Sequence, residues 1–207
     1  MEIKDRIKQK ADELYRKYGV KSVTMDEIAS QMGVSKKTIY QSFSDKNELV
    51  DEVIGDMLDF NRSCCLDNNH EAKDAVHEIL HTLENLENIL LDLNPTILFD
   101  LERSHPATFK KFTKYKYTFL FDLVKKNIQR GLKEGIYRSE MNVDIISKVR
   151  IESLILPFRE ELFPKNQYAL MDIQKELVEF FLYGMVNAKG HELILKYKKE
   201  KSKKPEQ

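Results

Sequence analysis

The 207-residue chain is 42% hydrophobic and 33% charged and has only seven Gly and five Pro, a composition typical of long amphipathic helices joined by short turns. Its 34 Lys and Arg balance 34 Asp and Glu, which argues against a general nucleic-acid coat protein. The apolar stretches are too short to span a membrane, and charged residues follow Met1 where a signal peptide would be apolar, so we expect a cytoplasmic protein with no membrane partner.

The first fifty residues carry the start and stop signals of three helices. Gly19 ends a first helix, whose apolar stripe recurs at spacings of three and four: Ile3, Ile7, Ala11, Leu14 and Tyr18. Thr24 and Glu27 form a capping box for a second helix that reaches Met32, and Ser35 can cap a third from Lys36 to about Phe43. Gly33 permits the turn between them.

The remaining residues predict further helices and no strands. These helices run from Lys46 to about Leu66, from Ala72 to Leu90, up to Arg103, from Thr108 to Leu132, from Asn142 to about Leu156, and from Ala169 past Ala188. Their expected breaks are a loop at 67–69, Asn94-Pro95, His105-Pro106, Gly131 with Gly135, and Pro157. We therefore expect an all-α fold of nine to ten helices.

The predicted second and third helices bury an apolar set between them, as in a helix-turn-helix: Ile28, Ala29, Met32, Val34, Ile39 and Phe43. In that motif the second helix lies in the major groove, so its exposed side chains meet base edges and phosphates. Lysine, glutamine, threonine and tyrosine suit those contacts. The predicted DNA-binding residues are Thr24, Ser35, Lys36, Lys37, Thr38, Tyr40, Gln41 and Lys46.

The segment GVKSVTMDEIASQMGVSKKTIYQSFSDKNELV resembles the N-terminal signature of the tetracycline-repressor (TetR) family, and the similarity covers roughly residues 5–54. The family pattern often has a small residue or Gly at the position of Lys37, so this lysine can change which base is read. The resemblance implies a helix-turn-helix DNA-binding domain at 1–46 and a helical ligand-binding and dimerisation domain at 47–195. The Lys-rich tail, 196–207, is expected to be disordered.

The resemblance also implies function. It predicts a homodimeric transcription regulator, more often a repressor in this family, released from a near-palindromic double-stranded operator by a small-molecule effector. The last two long helices of each subunit would form the dimer through Leu154, Ile173, Leu177, Phe180, Phe181, Gly184, Met185 and Ala188. A partly apolar effector would contact Met57, Phe60, Cys64, Phe99, Phe112, Tyr115, Tyr117, Phe119 and Phe158.

Two other functions fit parts of the sequence. His77-Glu78-Ile79-Leu80-His81 spells the H-E-x-x-H pattern of zinc hydrolases. However, on a helical wheel His77 and His81 fall opposite the apolar stripe, together with His70, so we expect a solvent-exposed histidine face with no catalytic residues and no metal. A helical protein-interaction module is the other alternative. Cys64 and Cys65 are neighbours with no evident activating cation, so we expect inert thiols, and no cofactor is indicated.

Overall fold

Ten helices build the described part of the chain. The computed structural model describes residues 2–90 and 93–201, with only the backbone at 68–70 and 88–89. In chain order the helices are α1 (Ile3–Tyr18), α2 (Met25–Met32), α3 (Lys36–Ser42), α4 (Lys46–Glu71), α5 (Ala75–Leu90), α6 (Ile97–Ser104), α7, α8 (Val143–Ser153), α9 (Leu170–Met185) and α10 (Ala188–Lys201). The long α7 comprises Pro106–Tyr115 and Phe121–Lys133, joined by a π-helical turn, Lys116–Leu120. The all-helical prediction is confirmed.

The N-terminal helices begin and end where the sequence predicts. Thr24 Oγ1 accepts a hydrogen bond from the Glu27 amide at 3.1 Å, and Ser35 Oγ accepts one from the Thr38 amide at 3.1 Å. Gly19 and Gly33 end α1 and α2 with φ values of 81° and 66°, in the region that disfavours a side chain. These signals act over three or four residues, so local sequence is enough to predict them.

One predicted helix boundary is wrong, and a second differs from the prediction by one residue. Helix α4 continues to Glu71, through the loop expected at 67–69. The turn preference of Asp and Asn is weak beside the gain of extending a helix that already exists. Helix α7 also passes through Gly131 and ends at Lys133, where Gly135 with φ 66° forms the turn.

The single helix expected from Ala169 past Ala188 is two helices. The break lies at Val186 and Asn187, where the chain pairs with the segment after α7. The Arg138 amide donates to the Met185 carbonyl at 2.9 Å, and the Asn187 amide donates to the Ile136 carbonyl at 3.1 Å. The Asn187 side chain then caps α10 by accepting the Gly190 amide at 3.1 Å. This break depends on residues fifty positions away in sequence.

Helix α10 includes the first part of the Lys-rich tail, which was expected to be disordered from residue 196. Tyr197 is buried, and its hydroxyl donates to the carboxylate of Asp74. Lys198 pairs with Glu179 at 2.6 Å. These contacts order the chain to Lys201, and the remaining residues of the predicted tail, 202–207, lie outside the described part.

The buried apolar side chains form two clusters. One combines α1–α3 with the start of α4 and with Ile97 and Leu101 of α6. The other joins α5, α7, α9 and α10 around Tyr137. The head predicted at 1–46 thus shares its core with α4 and α6, so the two helices are positioned to transmit movement between the two parts of the molecule. No helix among residues 2–90 and 93–201 is long and apolar enough to cross a bilayer.

Candidate nucleic-acid interface and internal cavity

Helix α3 presents one polar face because its apolar face is anchored in the head. Ile39 is fully buried and Phe43, just after the helix, is 1% exposed. The predicted DNA-binding side chains fall on the opposite side: Ser35, Lys36, Lys37, Tyr40 and Gln41 are exposed, and Thr38 is half-buried. Thr24 is exposed at the start of α2. The structure therefore brings seven of the eight predicted residues together at one end of the molecule.

Two lysines of α3 differ in their surroundings. Lys36 pairs with Asp26 at 2.8 Å, and this hydrogen bond raises the pKa of Lys36. Within the described residues Lys37 has no ion-pair partner. Lys37 is therefore the better placed of the two to contact a base or a phosphate, whereas Lys36 must first leave Asp26.

Lys46, the eighth predicted residue, is held by the head itself. Its Nζ donates to the carbonyl oxygens of Val20 at 2.6 Å and Lys21 at 3.4 Å. Burial lowers the pKa of Lys46, although Asp100 and Glu27 oppose that effect. The amine thus fixes the segment between α1 and α2 onto the start of α4, a role that the sequence did not indicate. Its contact with phosphate stays a prediction.

An internal cavity of about 310 Å³ lies between helices α4 to α9. Five of the predicted ligand-binding residues line it: Met57, Cys64, Phe112, Tyr115 and Phe158. Most of the rest of the wall is leucine, isoleucine and valine, contributed by α5, α6 and α7. A mostly apolar cavity with a few polar groups is the usual form of a ligand site.

Four predicted ligand residues lie outside the cavity. Phe60, Phe99 and Tyr117 are 63%, 53% and 50% exposed, and Tyr117 donates to Glu152 at 2.5 Å. Phe119 stacks on Tyr115 at 5.3 Å on the outside, under the guanidinium of Arg62. The aromatic residues of α7 spread around the whole helix, so only part of the group faces inward.

The polar groups of the cavity wall were mostly missed. Tyr115 donates to Asn61 Oδ1 at 2.5 Å, and burial raises the Tyr115 pKa. Glu78 pairs with Arg130 at 3.1 Å, and its pKa is raised chiefly by burial. Arg150 and Gln174, from α8 and α9, are 9% and 3% exposed. A polar residue on an amphipathic helix normally marks the solvent face, so sequence pattern alone does not place either one inside.

Comparison with known proteins gives one consistent result. Residues 7–53 match the family model of bacterial regulatory proteins of the tetR family. This match identifies a tetR-type helix-turn-helix domain of a transcriptional regulator at residues 7–53. The chain is 23% identical to the HTH-type transcriptional regulator YvaF of Bacillus subtilis (strain 168) over 171 residues, which cover 79% of this chain and 86% of YvaF.

Solved structures of transcriptional regulators share the fold over nearly the whole chain. A transcriptional regulator from Saccharomonospora viridis, in complex with choline, superposes with a TM-score of 0.70 at 19% identity, covering 89% of this chain and 97% of its own. The repressor FadR of Thermus thermophilus, in complex with lauroyl-CoA, gives 0.58 at 18% identity, with 89% and 95% covered.

The residues predicted for a TetR-type dimer interface divide into three groups. Phe180 is 83% exposed on α9, Gly184 and Ala188 are exposed nearby, and Leu177 is half-buried. Ile173 and Met185 are buried in the protomer's own core, and Leu154 and Phe181 line the cavity. Only the first group is free to meet a second subunit. Ile145 and Val149 on α8, each 56% exposed, were not among the predicted interface residues, because that helix has little apolar periodicity.

The H-E-x-x-H segment has no catalytic arrangement. Glu78 is buried against Arg130, while the His77 and His81 rings stack at 5.7 Å. The prediction that both face solvent is wrong, since Tyr197 of α10 packs on His77 at 4.9 Å. Among the described residues no cluster of His, Cys, Asp and Glu is placed to hold a metal, and the side chain of His70 lies outside them. TetR-family regulators are not enzymes.

Cys64 and Cys65 are free thiols on α4. Cys65 contacts Asn61 Oδ1, and burial raises the pKa of Cys65 to about 11. The Cys65 thiol therefore stays protonated at neutral pH, when it is a poor nucleophile.

Proposed function

We propose that the protein is a homodimeric repressor that binds a near-palindromic operator in the cytoplasm and is released from it by a small, partly apolar effector. The observation that carries this proposal is that α4 and α6 each contribute to both the DNA-binding head and the internal cavity. A molecule that fills the cavity must contact the helices that orient the head. The relatives bound to choline and lauroyl-CoA support an effector site in this fold.

Helix α6 provides the most direct connection. Leu98 and Leu101 line the cavity, while Asp100 between them accepts a hydrogen bond from the Lys21 amide of the head at 2.9 Å. Just before α6, the Asn94 amide donates to the Arg16 carbonyl at 2.7 Å. A shift of α6 that accommodates an effector would move both contacts. Effector binding then favours a head position that differs from the DNA-bound one. The effector therefore binds these two states with different affinities, which is what release from DNA requires.

The polar face of α3 supports specific DNA binding. Two-fold dimers place their recognition helices in successive major grooves about one helical turn apart, roughly 34 Å. In that arrangement Lys37 can donate to guanine and Gln41 can pair with adenine, while Ser35, Thr38 and Tyr40 contact phosphates. Lys36 adds a further positive charge once it leaves Asp26.

The exposed apolar residues of α8 and α9 support the dimer. Phe180, Ile145 and Val149 lie on the two helices that the family resemblance assigns to a four-helix bundle. A second copy of the chain would cover them with the same residues, as a two-fold interface requires. The exposed Gly184 permits close approach of the partner's helix.

Selection of bound fragments from the source genome tests the proposal. We expect one preferred, near-palindromic duplex bound with nanomolar affinity, and affinity that falls steeply with salt because phosphate contacts release counterions. Failure to enrich any duplex at physiological salt would contradict the proposal. The genes beside the enriched site would also indicate the class of effector.

Three variants on α3 separate base reading from phosphate binding. Lys37→Ala or Gln41→Ala should change which duplex is preferred, with a loss on the order of tenfold for the original sequence. Tyr40→Phe should weaken all duplexes about equally. If Lys37→Ala and Gln41→Ala both leave the preferred sequence unchanged, α3 is not the helix that reads bases.

A further inference from the structure

We infer that the effector is an apolar molecule with one anionic head group, such as a carboxylate, and that Arg150 binds this group inside the cavity. The inference rests on the proposed function only in taking the cavity as the effector site. The relatives do not decide the charge of the ligand, because choline is a cation and lauroyl-CoA is an anion. The charge of the ligand follows instead from the charged residues of this chain's own cavity wall.

The charged groups of the cavity wall differ in their partners. Lys116 pairs with Glu152 at 3.0 Å, and Glu78 pairs with Arg130 at 3.1 Å. Arg150 is equally buried, yet within the described residues it has no carboxylate partner. The wall therefore carries one uncompensated positive charge. An uncompensated charge of that sign disfavours a cationic ligand and favours an anionic one.

The guanidinium of Arg150 has hydrogen-bonding capacity to spare. One Nη1 hydrogen bond goes to Ser153 Oγ at 3.2 Å, and the face of the group lies 5.2 Å from the Phe181 ring. A guanidinium has five N–H donors, so most remain for a ligand. Burial lowers the Arg150 pKa to about 10, which still leaves the group cationic at neutral pH. A carboxylate would accept two parallel hydrogen bonds from such a group.

Gln174 gives the site a second polar donor. This α9 residue is 3% exposed, lines the cavity, and makes no side-chain hydrogen bond within the described part of the chain. An amide that lines a cavity without a protein partner is available to donate to a bound molecule. Its side-chain N–H groups suit the same anionic oxygen atoms that Arg150 attracts.

The rest of the wall determines the apolar body of the ligand. Leucine, isoleucine and valine side chains dominate it, including Ile79, Leu83, Leu86, Leu120, Leu123 and Val124. A volume of about 310 Å³ holds on the order of ten non-hydrogen atoms, taking roughly 30 Å³ for each, as for liquid water. Octanoate, with eight carbons and two oxygens, matches this size and is a suitable probe.

Calorimetric titration of the full-length protein tests the inference with three probes that share an eight-carbon chain. We expect octanoate to bind at least tenfold more tightly than 1-octanol, and trimethyl(octyl)ammonium to bind more weakly than both. Octanoate binding no tighter than 1-octanol would overturn the inference. Octyl sulfate and octyl phosphate extend the series, and tighter binding of either supports an anion site and identifies the head group.

Substitution of Arg150 separates its charge from the cavity's apolar surface. Arg150→Met should lose at least tenfold in octanoate affinity while 1-octanol binding changes less than threefold, and Lys148→Met, on the exposed side of α8, should change neither. An unchanged octanoate preference in Arg150→Met would overturn the inference. If Arg150→Met does not fold, Arg150→Lys keeps the charge without the bidentate geometry, and its octanoate affinity should fall at least threefold.

Thermal unfolding distinguishes a ligand-binding arginine from a structural one. Arg150→Met removes an unpaired buried charge, so its midpoint should equal or exceed that of the wild type. A large drop would assign Arg150 to the fold. Operator binding is measured on the same samples. If octanoate does not bind but an operator is still selected, only the anionic effector is rejected. If octanoate binding depends on Arg150 but no operator is selected, only the repressor function is rejected.

Discussion

Three side chains in the first two turns of α4 connect the DNA-binding head to the body. Lys46 donates to the Val20 and Lys21 carbonyls, and Asn47 Oδ1 lies 2.7 Å from Nδ1 of His105. Asp51 accepts from Thr108 of α7 at 3.1 Å. The contacts of Asn47 and Asp51 surround the break between α6 and α7, whereas those of Lys46 lie between α1 and α2. The start of α4, residues 46–51, therefore connects the head to the body, and we call it the joint.

Replacing Lys46 should destabilise the head as well as reduce its charge. In Lys46→Met the buried Val20 loses the donor to its carbonyl, and a hydrogen bond from a charged group contributes about 1.5–3 kcal/mol. We expect a drop of about 2 kcal/mol in the free energy of unfolding, measured by urea denaturation. Lys36→Met removes the same charge from an exposed pair and should leave stability nearly unchanged. Equal stability of the two variants would show that Lys46 does not fix the joint.

His105 should make stability depend on pH below neutrality. Burial, followed by the positive charge of Lys46, lowers the pKa of His105 below the 6.5 of an unfolded chain. The unfolded chain then binds the proton first, so the stability is fully present above about pH 6.5 and is lost as the pH falls toward the folded pKa. His77, whose pKa is also lowered by burial, contributes in the same direction.

His105→Gln should therefore show a smaller decrease in thermal midpoint between pH 7.5 and 5.5 than the wild type, because Gln does not titrate. His191→Gln is the control, since His191 is exposed on α10. A decrease as large in His105→Gln as in the wild type would assign the acid sensitivity to other groups.

At the scale of the helices, the sequence predicted elements whose ends are set locally. Thr24, Ser35 and Asn142 each cap a helix at the expected position. The break between α9 and α10 was missed because it depends on Tyr137 pairing with Val186, a contact between distant segments. The same difference between local and long-range contacts explains which parts of the candidate sites were predicted from the sequence. Local patterns located the polar face of α3. The position of Arg150 in the cavity wall depends instead on tertiary packing, which the spacing of residues along the chain does not predict.

Gly131 marks the tightest packing between α7 and the segment that follows it. A Cβ at this position would lie 2.2 Å from the ring of Tyr137. The ring cannot retreat easily, because its hydroxyl lies 3.1 Å from the Ala75 carbonyl and 3.0 Å from Asn127 Oδ1, and its one hydrogen is shared between these two acceptors. This glycine is therefore required for close approach and not for an unusual backbone conformation.

Gly131→Ala should destabilise the protein by about 3 kcal/mol, because overpacking outweighs the roughly 1 kcal/mol gained from helix propensity. Gly55→Ala in α4 is the matched change, since a Cβ there meets nothing within 4 Å. It should stabilise by about 0.5–1 kcal/mol. Urea denaturation of both variants measures the difference. A Gly131→Ala variant as stable as Gly55→Ala would mean that Tyr137 moves aside at little cost.

Helices α8 and α9 of the body carry large apolar side chains that no other part of the described protomer covers. Phe180 of α9 is 83% exposed, and Ile145 and Val149 of α8 are each 56% exposed. Scattered apolar residues are normal on a surface, but Phe180 is almost fully exposed and gives α9 an apolar face that is available to a partner. The face lies on the body, while the polar face of α3 lies on the head. A second subunit docked there would leave both recognition helices free.

Phe180→Asp should convert the dimer into a folded monomer, because a buried charge opposite its own copy is strongly unfavourable at a two-fold interface. Phe60→Asp makes the same change at a 63% exposed phenylalanine on α4 and should remain dimeric. Sedimentation velocity measures the assembly, and operator affinity should fall at least 100-fold in Phe180→Asp alone, since linked heads bind cooperatively through effective concentration. Cooperative thermal unfolding near the wild-type midpoint would show that the monomer is folded, because Phe180 packs little within its own chain. If Phe180→Asp still sediments as a dimer with full operator affinity, another surface joins the subunits.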